Sequence, residues 1–348
     1  MLTTAMSRLM QNMFSSFYAI VCLAKIETRG AVLLPANSRK QNVLQNAKES
    51  QKPVRRRTLA ERLPAETWDG HMHIVDPKRY PLASSAIYTP STHSIWDAVS
   101  FENTVCMNNI LLVQPSIYGN DNSAMLDAMK ALGPERSRGV VVFDESTVET
   151  RTLQEWHELG VRGVRLNLAS TSQNPDINAF RNTIARYAEL VRPFGWMVQI
   201  YMSMDLLPEL ESTIKGLGVQ VCFDHFGQPT KPSNMAGPNF DPYTINGFSS
   251  LVRLLQHGNV FVKFSAPYRV ALNSQQLDAV AREILRVKND RVVFATDWPH
   301  TRFEGLDIKP FEERCLEWAE DAGCVEKVFS TNAKKLWSVK DQSGLTYV

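Results

Sequence analysis

A closed (β/α)8 barrel of the TIM type is the fold class this chain predicts. Three observations lead there: eight short apolar runs alternate with amphipathic stretches, the interval they span is of barrel size, and chemistry-bearing residues gather where the runs end. The runs lie at 68–74, 109–114, 139–143, 161–166, 197–201, 219–223, 260–264 and 292–295. Helical patterns fall near 121–132, 150–159, 177–192, 205–216, 243–257, 275–287 and 310–322. Several runs are nearly all apolar, as in Val219-Gln220-Val221-Cys222-Phe223, which suits strands covered by helices outside and packed side chains inside. A doubly wound open sheet would use the same elements, but no GxGxxG or Walker loop follows any run to give it a ligand.

The 348 residues are 44% hydrophobic and 21% charged, enough to bury a large core. Residues 1–58 hold ten Lys and Arg against two acids, Glu27 and Glu49. The 38 basic and 36 acidic residues of the whole therefore leave 28 against 34 for the rest. A folded part that is mildly acidic speaks against a nucleic-acid partner, which would need a basic stripe. The division expected is a basic, disordered leader over 1–64, a barrel over 65–340 and a tail over 341–348. The apolar run 13–24 is too short to span a bilayer, so no membrane partner is expected, although it has the length of a signal-peptide core or presequence. Five cysteines (Cys22, Cys106, Cys222, Cys315, Cys324) form no CxxC pair, and a reducing compartment fits them. The cytoplasm is the expected location, with mitochondria as the alternative if the leader is a presequence.

The first run ends Trp68-Asp69-Gly70-His71-Met72-His73. Residues two apart on a strand share a face, so both imidazoles can enter one cavity. The sixth run ends Phe223-Asp224-His225-Phe226-Gly227, and the eighth ends Ala295-Thr296-Asp297-Trp298-Pro299-His300. Singly, each has a bland explanation: the HxH pair could be structural, His225 could be core, and Asp297 could cap a helix. Four such groups at three strand ends, on the face where a barrel carries its active site, are hard to explain by capping. His93, His157 and His257 lie away from strand ends and are read as surface or core residues.

Further short stretches carry a resemblance: Tyr88-Thr89-Pro90, Gln114-Pro115-Ser116 with Tyr118-Gly119, Gly160–Asn167, Lys263-Phe264-Ser265 with Pro267 and Arg269, and Thr331-Asn332-Ala333 with Leu336-Trp337. Together with the three strand ends, they make the chain from Asp69 to about Trp337 resemble the amidohydrolase-related branch of the metal-dependent-hydrolase superfamily. That branch contains 2-pyrone-4,6-dicarboxylate hydrolase and the sugar lactonases. The resemblance implies opening of a small, carboxylate-bearing lactone by water, with Asp297 as general base and His71, His73 and His225 polarising the carbonyl. It implies that Arg165 and Arg269 hold substrate carboxylates, that Tyr88, Ser116 and Tyr201 line the pocket, and that His300 supports Asp297.

Two departures matter. The dicarboxylate enzyme of the branch has another basic residue soon after the strand-four arginine, where this chain reads Leu168-Ala169-Ser170-Thr171, so the pyrone dicarboxylate itself is not the required substrate. Zinc members of the superfamily, including nonoxidative decarboxylases of aromatic or enol acids, take a further histidine from strand five, where Met197-Val198-Gln199-Ile200-Tyr201 has none. No cofactor is therefore expected. Zinc held by His71, His73, His225 and Asp297 is the alternative, and a catalytically silent barrel is the reading from outside enzymology. A small-molecule lactone or carboxylic acid is the expected partner, and a homo-oligomer is compatible with the sequence.

Overall fold

The computed structural model describes residues 57–168, 176–232 and 240–339. Residues 1–56 of the leader expected over 1–64, the tail over 341–348, and Ala169, Ser170 and Thr171 lie outside the described residues. The strands are β1 (Trp68–Met72), β2 (Asn109–Val113), β3 (Ser137–Val141), β4 (Val161–Asn167), β5 (Met197–Tyr201), β6 (Val221–Phe223), β7 (Val260–Phe264) and β8 (Val292–Phe294). The helices are α1 (Leu59–Arg62), α2 (Ile95–Thr104), α3 (Ser123–Leu132), α4 (Thr150–Glu158), α5 (Ile177–Val191), α6 (Leu207–Gly216), α7 (Phe248–His257), α8 (Ser274–Lys288), α9 (Lys309–Asp321) and α10 (Asn332–Leu336). All eight strands are parallel and pair in sequence order, the arrangement of a (β/α)8 barrel.

Alternate strand residues divide into two sets. Leu111, Val113, Val140, Met197, Cys222, Phe261 and Val293 pack together inside the barrel with Trp68, and Ala333, Leu336 and Trp337 of the α10 region join them. Their neighbours Ile110, Leu112, Val141, Val198, Ile200, Val221, Phe223, Val262 and Phe294 face the helical ring. This is the period of two expected of strands buried on both faces. Lys263 continues the inward row of Phe261, and Gln199 that of Met197, so the polar layer sits on the apolar one within the same strands.

The seam between β8 and β1 closes differently from the rest. A single parallel bridge joins Met72 to Trp298, with Asp297 N donating to His71 O (3.0 Å) and His73 N to Trp298 O (2.8 Å). The buried Asp69 carboxylate laces the two ends, accepting from His71 N (3.1 Å), Thr296 N (3.0 Å) and the Thr296 hydroxyl. Gly70 allows this approach, since a Cβ there would lie 2.8 Å from Phe294 O. The ladder register shifts between Asp69 and Met72, which changes the strand's alternation. Trp68 thus packs with the interior set and Met72 with the outer one, while His71 and His73 turn inward.

Several boundaries differ from the sequence reading. β3 opens at Ser137 rather than 139, because its polar residues have partners: Ser137 Oγ donates to Gly133 O (3.0 Å) and the Arg138 guanidinium lies over Trp68. β6 is only three residues long, though Val198 N still donates to Gln220 O (2.9 Å) ahead of it. β1 and β8 stop at Met72 and Phe294, since beyond them the chain bends to form the seam. Helix α2 was not expected; its capping box, in which Ser94 Oγ accepts from Asp97 N and Asp97 from Ser94 N, starts it despite the exposed Trp96. Leu59–Arg62, within the segment read as leader, forms one helical turn, and Arg62 pairs with Glu313 (2.5 Å) and Glu320 (2.8 Å). Among the described residues no helix is long and apolar enough to cross a membrane.

Candidate active site

Three imidazoles surround one carboxylate oxygen. Asp297 Oδ1 lies 3.7 Å from His71 Nε2, 3.7 Å from His73 Nε2 and 4.0 Å from His225 Nε2, and all four side chains are buried. His71 arrives from β1 and His73 from the seam just beyond it. His225 comes from the turn after β6, with φ of 49°, and Asp297 from the turn after β8, with φ of 63°. Both φ values lie in the left-handed region that L-residues enter at a cost of about 1 kcal/mol, held here by the bonds around them. The other carboxylate oxygen, Asp297 Oδ2, accepts from Tyr268 Oη (2.8 Å) and Arg269 Nε (2.7 Å). One oxygen is thus anchored and the other faces the histidines.

Each histidine is also tethered through Nδ1: His73 to Val113 O (2.7 Å), His225 to Ser265 Oγ (2.8 Å), and His71 to Asp224 Oδ1 (3.3 Å) and Lys263 Nζ (3.4 Å). Such contacts fix ring orientation and leave Nε2 to point into the cavity. Burial pushes His73 and His225 down to about 4, so both are neutral near pH 7. Burial and the neighbouring Lys263 lower His71 as well. Burial opposes ionisation of Asp297, but the His225, Arg269, His71 and His73 side chains outweigh it and hold the carboxyl well below the usual range.

Beneath the imidazoles lies a charged layer. Asp224 accepts from Arg165 Nε (3.2 Å) and Nη2 (3.1 Å) and from Gln199 Nε2 (2.8 and 3.1 Å), with Lys263 Nζ 3.4 Å away. Lys263 also donates to Gln199 Oε1 (2.8 Å). The sequence reading gave no role to Lys263, Gln199, Asp224, Ser265 or Tyr268. A lysine in the middle of Val-Phe-Val-Lys-Phe was the signal available, since a buried lysine demands partners.

The remaining expected residues divide. Arg165 turns two of its nitrogens to Asp224 and lies over the Tyr201 ring. Arg269 binds Asp297 and Thr301 O. Tyr201 packs edge-on against His225, with ring centroids 4.9 Å apart. His300 donates its backbone N–H to Asp297 O (2.9 Å) and packs its ring edge-on against Tyr268. Tyr88 lies under the Arg302 guanidinium, and Ser116 is exposed on the turn after β2; among the described residues no bond joins either to the four-residue cluster. His93, His157 and His257 sit outside the cluster, against Trp298, Trp196 and Asn259.

The proton arrangement decides what the cluster can hold. Val113 O only accepts, so neutral His73 carries its proton on Nδ1 and Nε2 is a bare acceptor. His71 Nε2 lies 3.2 Å from it. If Lys263 donates to His71 Nδ1, the His71 proton sits on Nε2 and satisfies His73. If His71 Nδ1 instead donates to Asp224, two bare nitrogens face one another, an arrangement that a cation relieves. The ligand atoms of His71, His225 and Asp297 all lie within 4.8 Å of one another. With His73 they offer three imidazole nitrogens and one carboxylate oxygen, a set that suits zinc. β5 contributes Gln199 and Tyr201 to this region and no histidine.

Known proteins resemble this chain over the barrel. A 2-pyrone-4,6-dicarboxylate hydrolase from Comamonas testosteroni is 32% identical over 251 residues, spanning 69% of this chain and 78% of the relative. A 4-sulfomuconolactone hydrolase from Hydrogenophaga intermedia is 28% identical over 257 residues, spanning 71% and 78%. A crystal structure from Agrobacterium tumefaciens, 20% identical, superposes with a TM-score of 0.67 over 80% of this chain and 97% of its own, and shares the fold. The family model described as Amidohydrolase matches residues 68–339, nearly the whole described barrel, and the chain belongs to that family.

Proposed function

We propose that this chain hydrolyses a small lactone bearing an acidic substituent. The observation that carries the reading is the pairing of one anchored and one free oxygen on Asp297, with the free oxygen ringed by three Nε2 atoms. Water becomes a nucleophile only as a base takes its proton, and a carboxylate held ionised is always ready to accept one. Its intrinsic basicity is weak, so the charge developing on the lactone oxygen must lie close enough to raise it. With Ser265 donating to His225 Nδ1, neutral His225 carries its proton on Nε2, where it can stabilise that oxyanion. The named activities of the Comamonas testosteroni and Hydrogenophaga intermedia relatives support lactone chemistry. Both of those named substrates are acidic.

The test is turnover of the purified chain on 2-pyrone-4,6-dicarboxylate, 4-sulfomuconolactone and a neutral lactone, alongside Asp297→Asn. Loss of the base should lower kcat by about 10³-fold or more, the order seen when a general base and its electrostatic partners are removed. An Asp297→Asn enzyme with unimpaired turnover sinks the mechanism.

A second reading is favoured by one contact, the 3.2 Å approach of the His71 and His73 Nε2 atoms. In that reading His71, His73, His225 and Asp297 hold a divalent ion, which when bound supplies Lewis-acid polarisation of a carbonyl. Metal content of the purified chain, with activity measured before and after chelation, separates the two.

A further inference from the structure

The basic groups expected to grip substrate are engaged elsewhere. Arg165 is committed to Asp224, and Arg269 to Asp297 Oδ2 and Thr301 O. Arg165 has Nε, Nη1 and Nη2 all engaged, Arg269 keeps only Nη1 to offer an acidic substituent, and residues 168–175 supply no lysine or arginine. The cavity that opens above the cluster has a volume of about 340 Å³ and is lined by Tyr201, Tyr268, Arg269, Arg302 and Phe303. Its floor belongs to the active site, since Tyr268 and Arg269 hold Asp297 and Tyr201 packs against His225.

Arg302 is the second cation on the wall, beside Arg269. It makes no hydrogen bond or ion pair among the described residues, and its guanidinium lies 5.5 Å over the ring of Tyr88. Stacking of this kind holds the flat group in place through its face while leaving the N–H edge to donate. The backbone at Arg302 has φ of 70°, a left-handed conformation that a long side chain enters at some cost. Phe303 next to it packs against Tyr268 (centroids 4.6 Å) and under Arg269, which ties this turn to the residues that hold Asp297.

We propose that Arg302, laid on Tyr88, is the specificity-determining anchor for an oxyanionic substituent of the lactone, a carboxylate or a sulfonate, held at the mouth while the ring carbonyl reaches the histidines. The inference rests on the lactonase reading for its substrate, but its binding step can be tested without turnover. The loop after β8 then both supplies Asp297 and measures the distance from reacting carbonyl to acidic group. A guanidinium edge matches either anion with paired hydrogen bonds.

Two measurements test it. The first compares kcat/KM for a carboxylate lactone, a sulfonate lactone and the methyl ester of the carboxylate in Arg302→Gln and Arg302→Lys. In Arg302→Gln the preference for acid over ester should fall about tenfold or more, carried by KM, in line with loss of a charge-assisted hydrogen bond. Arg302→Lys should recover part of it. Whichever acid loses more identifies the anion the site prefers. The second measures binding of a non-hydrolysable pyridine dicarboxylate to Asp297→Asn with and without Arg302→Gln. Weakening by about tenfold supports the anchor even if no lactone tried is turned over, an outcome that would count against the lactonase reading alone. Equal preference for acid over ester in wild type and Arg302→Gln, or unchanged dicarboxylate binding, overturns the proposal.

Discussion

Tyr268 Oη and Arg269 Nε converge on the same oxygen of Asp297, at 2.8 and 2.7 Å, so adjacent residues in the turn after β7 hold a carboxylate that comes from the turn after β8. The pair does two things at once. It turns Oδ1 toward the imidazoles, and it stabilises the ionised form through one neutral and one charged donor.

Tyr268→Phe separates those effects. The substitution removes one donor and keeps the ring that packs on Phe303 and His300. A donor to the charged form lowers an acid's pKa, so its loss raises that of Asp297, and the acid limb of the kcat profile should move to higher pH. We expect kcat to fall by about tenfold to a hundredfold with little change in KM, since the interaction matters to the base and not to ground-state binding. A pH–rate profile identical to wild type would show that Tyr268 is packing alone.

Glu312 of α9 gives a pH dependence of stability. Its carboxylate oxygens are buried with no hydrogen-bond partner among the described residues, and burial, with Asp69 and Glu313 nearby, pushes its carboxyl up to about 9 from 4.5. A raised acid is protonated in the folded chain while the unfolded chain releases its proton. The stability it contributes is therefore whole below about pH 4.5 and is lost as pH rises toward about 9. Glu312→Gln should flatten that decline and raise the urea midpoint at pH 8 by an amount worth on the order of a few kcal/mol, with little change at pH 5. Denaturation curves of both proteins at the two pH values check it.

The barrel was legible because parallel strands covered on both faces read as short apolar runs, and Val219–Phe223 or Val260–Phe264 have few other uses. Convergence of His71, His73, His225 and Asp297 was legible from the rule that strand ends share one face. What stayed hidden was the direction of the arginines. Sequence places Arg165 near the cavity but cannot show that its fork turns to Asp224, because that depends on Lys263 and Gln199 from two other strands meeting the same carboxylate. The register shift at Gly70 was equally invisible, since nothing in Trp-Asp-Gly-His-Met-His states that a Cβ at position 70 would meet Phe294 O. Helix α2 was missed because Trp96 faces outward and blurs the apolar period, while the Ser94–Asp97 capping pattern was present to be read.

The charged layer under the histidines yields the sharpest stability prediction. Among the described residues, Asp224 is the lone carboxylate bonded to Arg165 and approached by Lys263, and all three are buried. Burial opposes its ionisation, yet Lys263, His71 and Arg165 hold it well below the usual carboxylate range. Asp224→Asn leaves two cations facing no counter-charge, and they respond differently. Burial already lowers the Lys263 ammonium, which can shed its proton, whereas a guanidinium cannot. The stranded group is then Arg165, and removing one member of a buried pair typically costs about 3–5 kcal/mol. Lys263→Met should cost less, because Asp224 keeps Arg165 and Gln199. Arg165→Met added to Asp224→Asn should recover part of the loss, so the double variant is more stable than the sum of the single changes allows. Urea unfolding of the four proteins measures that coupling. Additive losses would mean that Arg165 finds water or another partner once Asp224 is gone, and that the layer is less closed than its geometry indicates.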